Sequence, residues 1–204
     1  MSFYSERVLP RLVHSSMSQA TLAPYRQRVT AQARGRVLEI GVGSGLNLPL
    51  YDAASHVVGL DPSSRLLAMA RATAGGLDRS IELIEGVAEA IPLPDHAVDT
   101  VVSTWTMCSI PELPRALAEM RRVLAPDGLL VFVEHGRSPE PGVARWQHRL
   151  TPLWKRLAGG CHLNRPIEQL VAAAGFRFDR IEKGYMDGPR PMTFMYEGLA
   201  RPQH

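Results

Sequence analysis

The sequence predicts an α/β fold in which a mostly parallel sheet carries helices on both faces. Apolar runs that suit buried strands alternate along the chain with segments of helical periodicity. The run 37–40 leads into three alternating glycines, Gly41, Gly43 and Gly45, and a second run ends in Asp61, 20 residues after Gly41. A strand, a glycine turn, a helix and a second strand ending in a carboxylate form the first half of a nucleotide-binding fold. The carboxylate is then placed to accept hydrogen bonds from ribose hydroxyls.

The other elements follow in chain order. Helical spacing of apolar residues over 4–14 and 23–33 predicts a helical cap, and the prolines at positions 10 and 24 restrict where its helices run. Strands are predicted near 36–41, 56–60, 80–84, 98–103 and 128–134, and helices near 46–51, 63–74, 112–124 and 143–158. The runs 176–181 and 192–199, joined by glycines and prolines, predict a closing hairpin. We expect residues 1–204 to form a single domain, with the cap at 1–34 and the core at 35–204.

Composition and charge fit an enzyme of this class and argue against several others. The 204 residues are 45% hydrophobic and 21% charged, as in ordinary globular proteins. The net charge of +3 arises from 23 basic residues spread along the chain, so nucleic-acid binding is not indicated. There is neither an apolar run of about 18 residues nor a signal-peptide pattern, so we expect a cytoplasmic protein without a transmembrane segment. The oligomeric state is not predicted.

The two cysteines give no metal-binding pattern. Cys108 and Cys161 are 53 residues apart, and the chain contains no Cys-x-x-Cys pair. Metal sites in sequences are usually recognised by closely spaced ligand pairs. The cysteines are therefore not expected to act together as metal ligands, and no metal is predicted.

The spacing of the glycines selects the kind of nucleotide. A dinucleotide fingerprint has the form G-x-G-x-x-G/A, whereas here the third glycine comes one position early and Leu46 replaces the last small residue. The absence of a following Lys and Ser/Thr pair excludes a P-loop. Glu39 places a carboxylate near the turn, where it would repel a pyrophosphate and suit a cationic ligand.

Several motifs in order resemble the class I S-adenosylmethionine-dependent methyltransferases. They are the Glu-x-Gly-x-Gly-x-Gly stretch at 39–45, then 59–63, then 86–95 with 99–103, and finally 122–128. The resemblance implies the Rossmann-like fold of that family, with a seven-stranded, mostly parallel sheet that ends in an antiparallel hairpin. It also implies that the cofactor is S-adenosyl-L-methionine and its product S-adenosyl-L-homocysteine.

The candidate cofactor-binding residues lie at the carboxyl ends of the strands, where open α/β sheets bind their ligands. They are Glu39, Gly41, Gly43, Gly45, Asn47, Asp61, Pro62, Ser63, Gly86, Val87, Ala88, Glu89, Thr104 and Trp105. By the family resemblance, Asp61 binds the ribose, Pro62 and Ser63 border the adenine, and Val87 with Ala88 contacts its edge. Alternatively, the glycines form plain tight turns and Asp61 caps the following helix.

The methyl acceptor should meet the cofactor after the fourth strand, at 103–108. Many family members that methylate amines of bases or glutamine carry an Asn-Pro-Pro-Tyr type loop there, and this chain has none. Trp105 and Met107 would give an apolar, polarizable wall, with the aromatic face also favourable to a sulfonium. Alternatively, both residues pack in the core.

A narrower resemblance concerns the acceptor. The segments 146–147, 152–155 and 160–165, together with 108–109 and 134–135, are similar to the methyltransferase-like alkyl thiol S-methyltransferases. The resemblance implies a small thiol acceptor, such as hydrogen sulfide, methanethiol or another alkyl thiol. The hydrophobic anchor with which those proteins begin is not seen here, so membrane attachment is not carried over. The alternatives are a phospholipid or small-amine N-methyltransferase, with peripheral membrane contact through the first helix, and a catalytically silent binding module.

A thiol must lose its proton before it attacks, because its free pKa is about 8.5 and the thiolate is the nucleophile. A positioned base would add about 10² to 10⁴-fold to the rate. His135, at a strand end, is the first catalytic candidate, followed by His14 in the cap and His162, although a lone histidine also often has a structural role. Arginines could instead stabilise a thiolate, and the candidates are Arg7, Arg11 and Arg165.

Overall fold

Strands and helices alternate along most of the chain. The computed structural model describes residues 8–203, apart from the side chain of Ser55. The elements are α1 (Leu9–Met17), α2 (Ala23–Thr30), β1 (Gly35–Ile40), β2 (Ala54–Asp61), α3 (Ser64–Ala74), β3 (Ile81–Glu85), β4 (Val98–Thr104), α4 (Leu113–Val123), β5 (Leu124–His135), α5 (Pro141–Leu157), α6 (Ile167–Ala173), β6 (Phe176–Tyr185), α7 (Arg190–Thr193) and β7 (Phe194–Pro202).

The strands form one seven-stranded sheet in the order β3-β2-β1-β4-β5-β7-β6. The first five strands pair in parallel, and β7 runs antiparallel to both β5 and β6. The predicted mostly parallel sheet with a closing antiparallel hairpin is therefore confirmed. Because the strand order reverses between β1 and β4, a crevice opens outside the carboxyl ends of these two strands, which is where such sheets bind ligands.

Two apolar cores cover the two faces of the sheet. Successive residues of the central strands point to opposite faces, so that Leu38 and Phe132 lie in one core and Val37 and Val131 in the other. Buried residues of α4 and α6 complete the first core, and those of α2 and α3 complete the second. Burial on both faces explains why the strands read as continuous apolar runs, and it confirms helices on both faces.

The structure corrects some element predictions. The helix predicted near 46–51 is only a single 3₁₀ turn, Leu48–Leu50, because Pro49 lacks an amide hydrogen and disfavours helical geometry in the residue before it. The short helices α6 and α7 were not predicted. In the cap, α1 begins at Leu9 with a proline in its first turn, and residues 4–7 of the predicted helix lie outside the described residues. Within residues 8–203 no helix combines the length and the apolar character needed to cross a bilayer.

Candidate active site

The glycine turn after β1 lies against the loop that follows β4. Gly41 has a φ of +68°, and a Cβ atom placed on it would lie 2.4 Å from the side chain of Thr106. Gly43 has a φ of +56°, but a Cβ atom there would meet only a backbone oxygen, at 3.8 Å. Gly41 thus permits close packing of the two loops, whereas Gly43 leaves one side of the turn open to a ligand.

Asp61 lies at the end of β2 beside this turn. Its carboxylate accepts a hydrogen bond from the Gly43 amide at 3.0 Å and another from the Ser63 amide at 2.8 Å. The side chain is 6% exposed, and burial raises its pKa although the two backbone hydrogen bonds oppose the shift. The residue that caps α3 is Ser63, whose hydroxyl accepts from the Leu66 amide at 3.3 Å. Asp61 is therefore not needed as the cap, and each of its oxygens keeps a lone pair for a ribose hydroxyl.

The turn after β3 lies next to Asp61 on the other side. Val87 is 46% exposed, whereas Ala88 is buried, so the Val87 side chain is accessible to a bound ring. Glu89 is engaged elsewhere, since its carboxylate accepts from the Glu112 amide at 3.2 Å, just before α4. The turn that was predicted to border the adenine thus offers one exposed apolar side chain. Pro62, which follows β2 and was predicted to border the adenine together with Ser63, is exposed.

A buried polar network supports the glycine turn from below. Asn47 Nδ2 donates to Glu39 at 2.7 Å and to Thr104 Oγ1 at 3.1 Å, and the Tyr51 hydroxyl donates to the other Glu39 oxygen at 2.9 Å. Burial raises the pKa of Glu39 to about 7, against the opposing effects of these hydrogen bonds and of Arg26. The structure brings together Glu39, Asn47 and Thr104, all predicted site residues, but Glu39 and Asn47 are almost fully buried and hold the loop in shape.

The cap is joined to this network by Arg26, a residue that sequence reasoning missed. Its guanidinium donates to Asn47 at 2.8 Å and to the Met17 carbonyl at 2.9 Å, and it lies 5.0 Å from the centre of the Trp105 ring. His14 also reaches the glycine turn, with its Nδ1 atom 2.7 Å from the Ser44 hydroxyl. The arginines of the cap were the available signal, but periodicity could not show which of them points inward.

The loop after β4 is fastened to the end of β5. One oxygen of Glu134 accepts from the Ser103 hydroxyl at 2.8 Å and from the amides of Thr106 and Met107 at 2.9 and 3.0 Å. Met107 is completely buried, so it packs in the core, whereas Trp105 is partly exposed and has a φ of +51°. Of the predicted apolar wall, only Trp105 can face a ligand.

The other oxygen of Glu134 is buried and has no hydrogen-bond partner among residues 8–203. Burial raises the pKa of this carboxyl to about 8, and the nearby charge of Cys108 adds to the shift. A buried carboxylate oxygen without a donor is uncommon in proteins. This oxygen could therefore accept a hydrogen bond from a group bound on the acceptor side of the site.

Cys108, His135 and Cys161 meet beside Glu134. His135 Nε2 lies 2.9 Å from Cys161 Sγ, and the nitrogen and sulfur atoms of the three side chains all lie within 4.8 Å of one another. Both thiols are free and buried, and His135 is partly exposed. A hydrogen bond between the sulfurs lowers the pKa of Cys108 and raises that of Cys161. Burial, the largest single effect, lowers the pKa of His135, but the charge of Cys108, a hydrogen bond to it and the charge of Glu134 together raise it.

The structure brings the two cysteines together, which their spacing along the chain did not indicate. The cysteines are close in space although 53 residues separate them, because β4 and β5 are neighbouring strands and the loop after α5 folds back onto their ends. The His162 amide donates to the Cys108 carbonyl at 2.8 Å, and the Arg165 guanidinium donates to the carbonyls of Met107 and Ile110. Both cysteines lie in segments similar to the alkyl thiol S-methyltransferases, but the sequence does not show that these segments meet.

Two other candidates for handling the thiol, His162 and Arg165, bind the backbone beside the cluster. The His162 ring contacts the Cys108 carbonyl at 3.1 Å, and burial lowers its pKa. Arg165 is buried, with its guanidinium bound to backbone carbonyls. Arg11 is exposed on α1, and Arg7 lies outside the described residues.

Comparison with known proteins identifies the family. A family model described as a methyltransferase domain matches residues 38–132. The chain is 33% identical over 150 residues to the thiol S-methyltransferase TMT1B of Rattus norvegicus. The aligned region covers 72% of this chain and 62% of the rat protein. The chain is also 34% identical over 175 residues to a phosphatidylethanolamine N-methyltransferase of Cereibacter sphaeroides. This aligned region covers 83% of this chain and 84% of the bacterial relative. The chain belongs to the class I S-adenosylmethionine-dependent methyltransferases.

The fold of this methyltransferase agrees with solved structures. The S-adenosylmethionine-dependent methyltransferase of Mesorhizobium loti superposes with a TM-score of 0.70 at 19% identity, covering 91% of this chain and 99% of that one. The chain spans 62% of the length of the rat relative. The cofactor is S-adenosylmethionine, and the site fits it: Gly43 leaves the turn open, Asp61 offers free lone pairs to a ribose, and the partly exposed Trp105 ring suits a sulfonium.

Proposed function

We propose that this methyltransferase transfers the methyl group to a small thiol, such as hydrogen sulfide, methanethiol or another alkyl thiol. The observation that carries the proposal is the meeting of Cys108, His135 and Cys161. Each of these residues belongs to a segment similar to the alkyl thiol S-methyltransferases, and the three segments are far apart in sequence. Their convergence at the carboxyl edge of the sheet, beside the glycine turn, supports a site for sulfur chemistry. The similarity to the rat protein supports the same acceptor.

Methyl transfer depends more on the alignment of the acceptor with the methyl group than on catalytic side chains. Bound S-adenosylmethionine supplies an electrophilic methyl group on a positively charged sulfur. Asp61 and the glycine turn would hold the nucleoside, and the contact of Arg26 with Trp105 fastens the cap to the loop after β4, beside this turn. Holding the acceptor in line and excluding water then supply most of the rate, because charge is consumed in the displacement.

Removal of the proton from the acceptor thiol is assigned first to His135. Among the three candidate histidines, it is the one whose ring contacts a free thiol side chain at the acceptor edge. His14 contacts the hydroxyl of Ser44 in the glycine turn, and His162 contacts a backbone carbonyl. These two are second candidates, with positions that suit closure of the cap and support of the loop.

A direct assay tests the thiol acceptor. The full chain is incubated with S-adenosylmethionine and either hydrosulfide, methanethiol, ethanethiol or ethanolamine, and both S-adenosylhomocysteine and the methylated product are quantified. The thiols should be methylated, at a rate that rises with pH as the thiolate fraction rises. Asp61→Ala is the control for cofactor-dependent turnover. Methylation of the amine with none of the thiols would overturn the proposal.

The second candidate is a phospholipid or small-amine N-methyltransferase. The Cereibacter sphaeroides relative, which covers more of this chain, favours it. So does α5, where Trp146, Leu153 and Leu157 are 56%, 60% and 55% exposed and the Arg149 guanidinium lies 5.8 Å from the Trp146 ring. Exposed apolar and basic side chains on one helix suit a membrane surface. Methylation that requires phosphatidylethanolamine vesicles, and co-flotation of the protein with them, would establish this candidate instead.

A further inference from the structure

Cys108, His135 and Cys161 have the composition and spacing of a metal site, and the cofactor-binding residues do not include them. The two sulfurs and one imidazole nitrogen lie within 4.8 Å of one another, and the contact between His135 and Cys161 is 2.9 Å. Bond lengths of about 2.3 Å for Zn–S and about 2.0 to 2.1 Å for Zn–N place the ligand atoms of a tetrahedral site about 3.5 to 3.8 Å apart. Small side-chain adjustments therefore suffice to bind an ion, and thiolates with imidazole favour zinc.

The surrounding fold holds these three side chains in place. His135 ends β5, Cys108 lies in the loop after β4, and Cys161 lies in the loop after α5. The two loops are joined by the hydrogen bond from the His162 amide to the Cys108 carbonyl at 2.8 Å and by Arg165, which donates to Ile110 at 2.5 Å. Such support from neighbouring residues is what fixes ligands before a metal arrives.

The number of ligands indicates a site with one open position. Structural zinc sites have four protein ligands, whereas catalytic sites have three and keep the fourth position for water or substrate. Residues 8–203 supply three ligands to this group. Glu134, whose second oxygen is buried and lacks a donor among residues 8–203, accepts from the amide of Met107, the residue before Cys108, so a polar group on the metal has an acceptor close by.

We propose that Cys108, His135 and Cys161 bind a Zn²⁺ ion whose fourth position takes the acceptor thiol as a thiolate. The identity of that acceptor rests on the proposed function. Zinc-bound hydroxide takes the proton of the incoming thiol and leaves as water, so that the acceptor sulfur is bound to zinc and negatively charged. Zinc therefore ionises the thiol at neutral pH. His135 then serves as a ligand, and the role of base that was assigned to it above passes to the zinc-bound hydroxide.

The methyl-transfer step then balances without an oxidant or a further base. The zinc-bound sulfur donates an electron pair to the methyl carbon, and the bond from that carbon to the cofactor sulfur breaks with its electron pair remaining on S-adenosylhomocysteine. The product is a neutral thioether, a weaker ligand than a thiolate, so it dissociates. A water molecule takes its place and loses one proton to the solvent, which restores the zinc-bound hydroxide. The loop 105–109 places this site next to the cofactor, because its Thr106 packs on Gly41 while its Cys108 belongs to the cluster.

Metal content and spectroscopy test the proposal on the full chain, purified without a histidine tag. After loading with Zn²⁺ and desalting, the wild type should retain about one zinc per chain by mass spectrometry. The control variant His148→Ala, which changes an exposed histidine outside the cluster, should retain the same amount. Cys161→Ser and His135→Ala should retain less than a tenth of that amount. The Co²⁺-loaded wild type should show a thiolate-to-cobalt charge-transfer band, and ethanethiol added without S-adenosylmethionine should shift its spectrum. This spectroscopic test uses the wild type, so it stands even if the variants fail to fold.

The activity of metal-free protein separates this inference from the proposed function. Removal of zinc should lower ethanethiol methylation at least tenfold, leave S-adenosylhomocysteine affinity within about threefold, and be reversed by Zn²⁺. A wild type that retains no zinc, or that joins Cys108 to Cys161 in a disulfide, would overturn the zinc site. Full thiol methylation by metal-free protein would overturn it too, while the proposed function would stand. A cobalt spectrum that does not change when ethanethiol is added would refute the claim that the thiol binds to the metal. Zinc and ethanethiol binding without methylation of any thiol would refute the proposed function and leave the metal site in place.

Discussion

Asp61→Ala is expected to weaken binding of S-adenosylmethionine and S-adenosylhomocysteine by about 10 to 100-fold. The Asp61 carboxylate is 6% exposed and accepts amide hydrogen bonds at 2.8 and 3.0 Å, one of them from Gly43 in the glycine turn. The substitution removes an ionised acceptor from the ribose hydroxyls and leaves these two amides without a partner. Hydrogen bonds to charged groups contribute about 1.5 to 3 kcal/mol each, and 1.4 kcal/mol is tenfold in affinity.

Calorimetric titration with S-adenosylhomocysteine at pH 7.5 measures this loss. Asp78→Ala, which changes an exposed aspartate before β3, is the matched control and should bind like the wild type. Because the pKa of Asp61 is raised by burial, wild-type affinity should also fall at acid pH, starting above the usual titration range of an aspartate. Equal affinities for the wild type and a folded Asp61→Ala would refute the assignment of the ribose site.

Three further predictions concern the supports of the site. Burial raises the pKa of Glu39 from 4.5 to about 7, so its contribution to the free energy of unfolding is present at low pH and is lost as pH rises. Between pH 5 and 8 the wild type should lose about 2 to 3 kcal/mol relative to Glu39→Gln in urea unfolding, and parallel pH profiles would contradict this. Arg165→Met removes hydrogen bonds to two buried carbonyls; it should destabilise the protein by about 1 to 3 kcal/mol and lower thiol turnover more than cofactor affinity, whereas unchanged turnover would exclude its role. His14→Ala loses the 2.7 Å contact with Ser44, so S-adenosylhomocysteine affinity should drop by about two- to fivefold; equal dissociation constants by calorimetry would show that the cap does not help to hold the cofactor.

The cofactor side of the site could be predicted because its signals are local. The strands are buried on both faces and therefore read as continuous apolar runs, and the glycine turn and Asp61 lie at the ends of two such runs. The structure places both at the crevice where the strand order reverses. The predicted helix near 46–51 failed for a local reason that the sequence also contains, since Pro49 limits it to one 3₁₀ turn.

The acceptor side could not be predicted in the same way because its contacts are long-range. Cys108, His135 and Cys161 come from three segments, and spacing along the chain argued against a joint role of the cysteines as metal ligands. Only the neighbouring positions of β4 and β5 and the return of the loop after α5 bring them together. Arg26 was missed because a cap helix with several arginines does not reveal which one is buried.

The central claim, a thiol acceptor, is tested most directly by competition in one reaction. The protein is given S-adenosylmethionine with a deuterated methyl group, together with ethanethiol and phosphatidylethanolamine vesicles at equal acceptor concentration, and both labelled products are quantified by mass spectrometry. We expect the deuterated thioether to dominate at neutral pH, and its share to increase as pH rises toward the thiol pKa of about 8.5. Labelled phospholipid as the main product, with no more thioether than in a reaction lacking protein, would contradict the account.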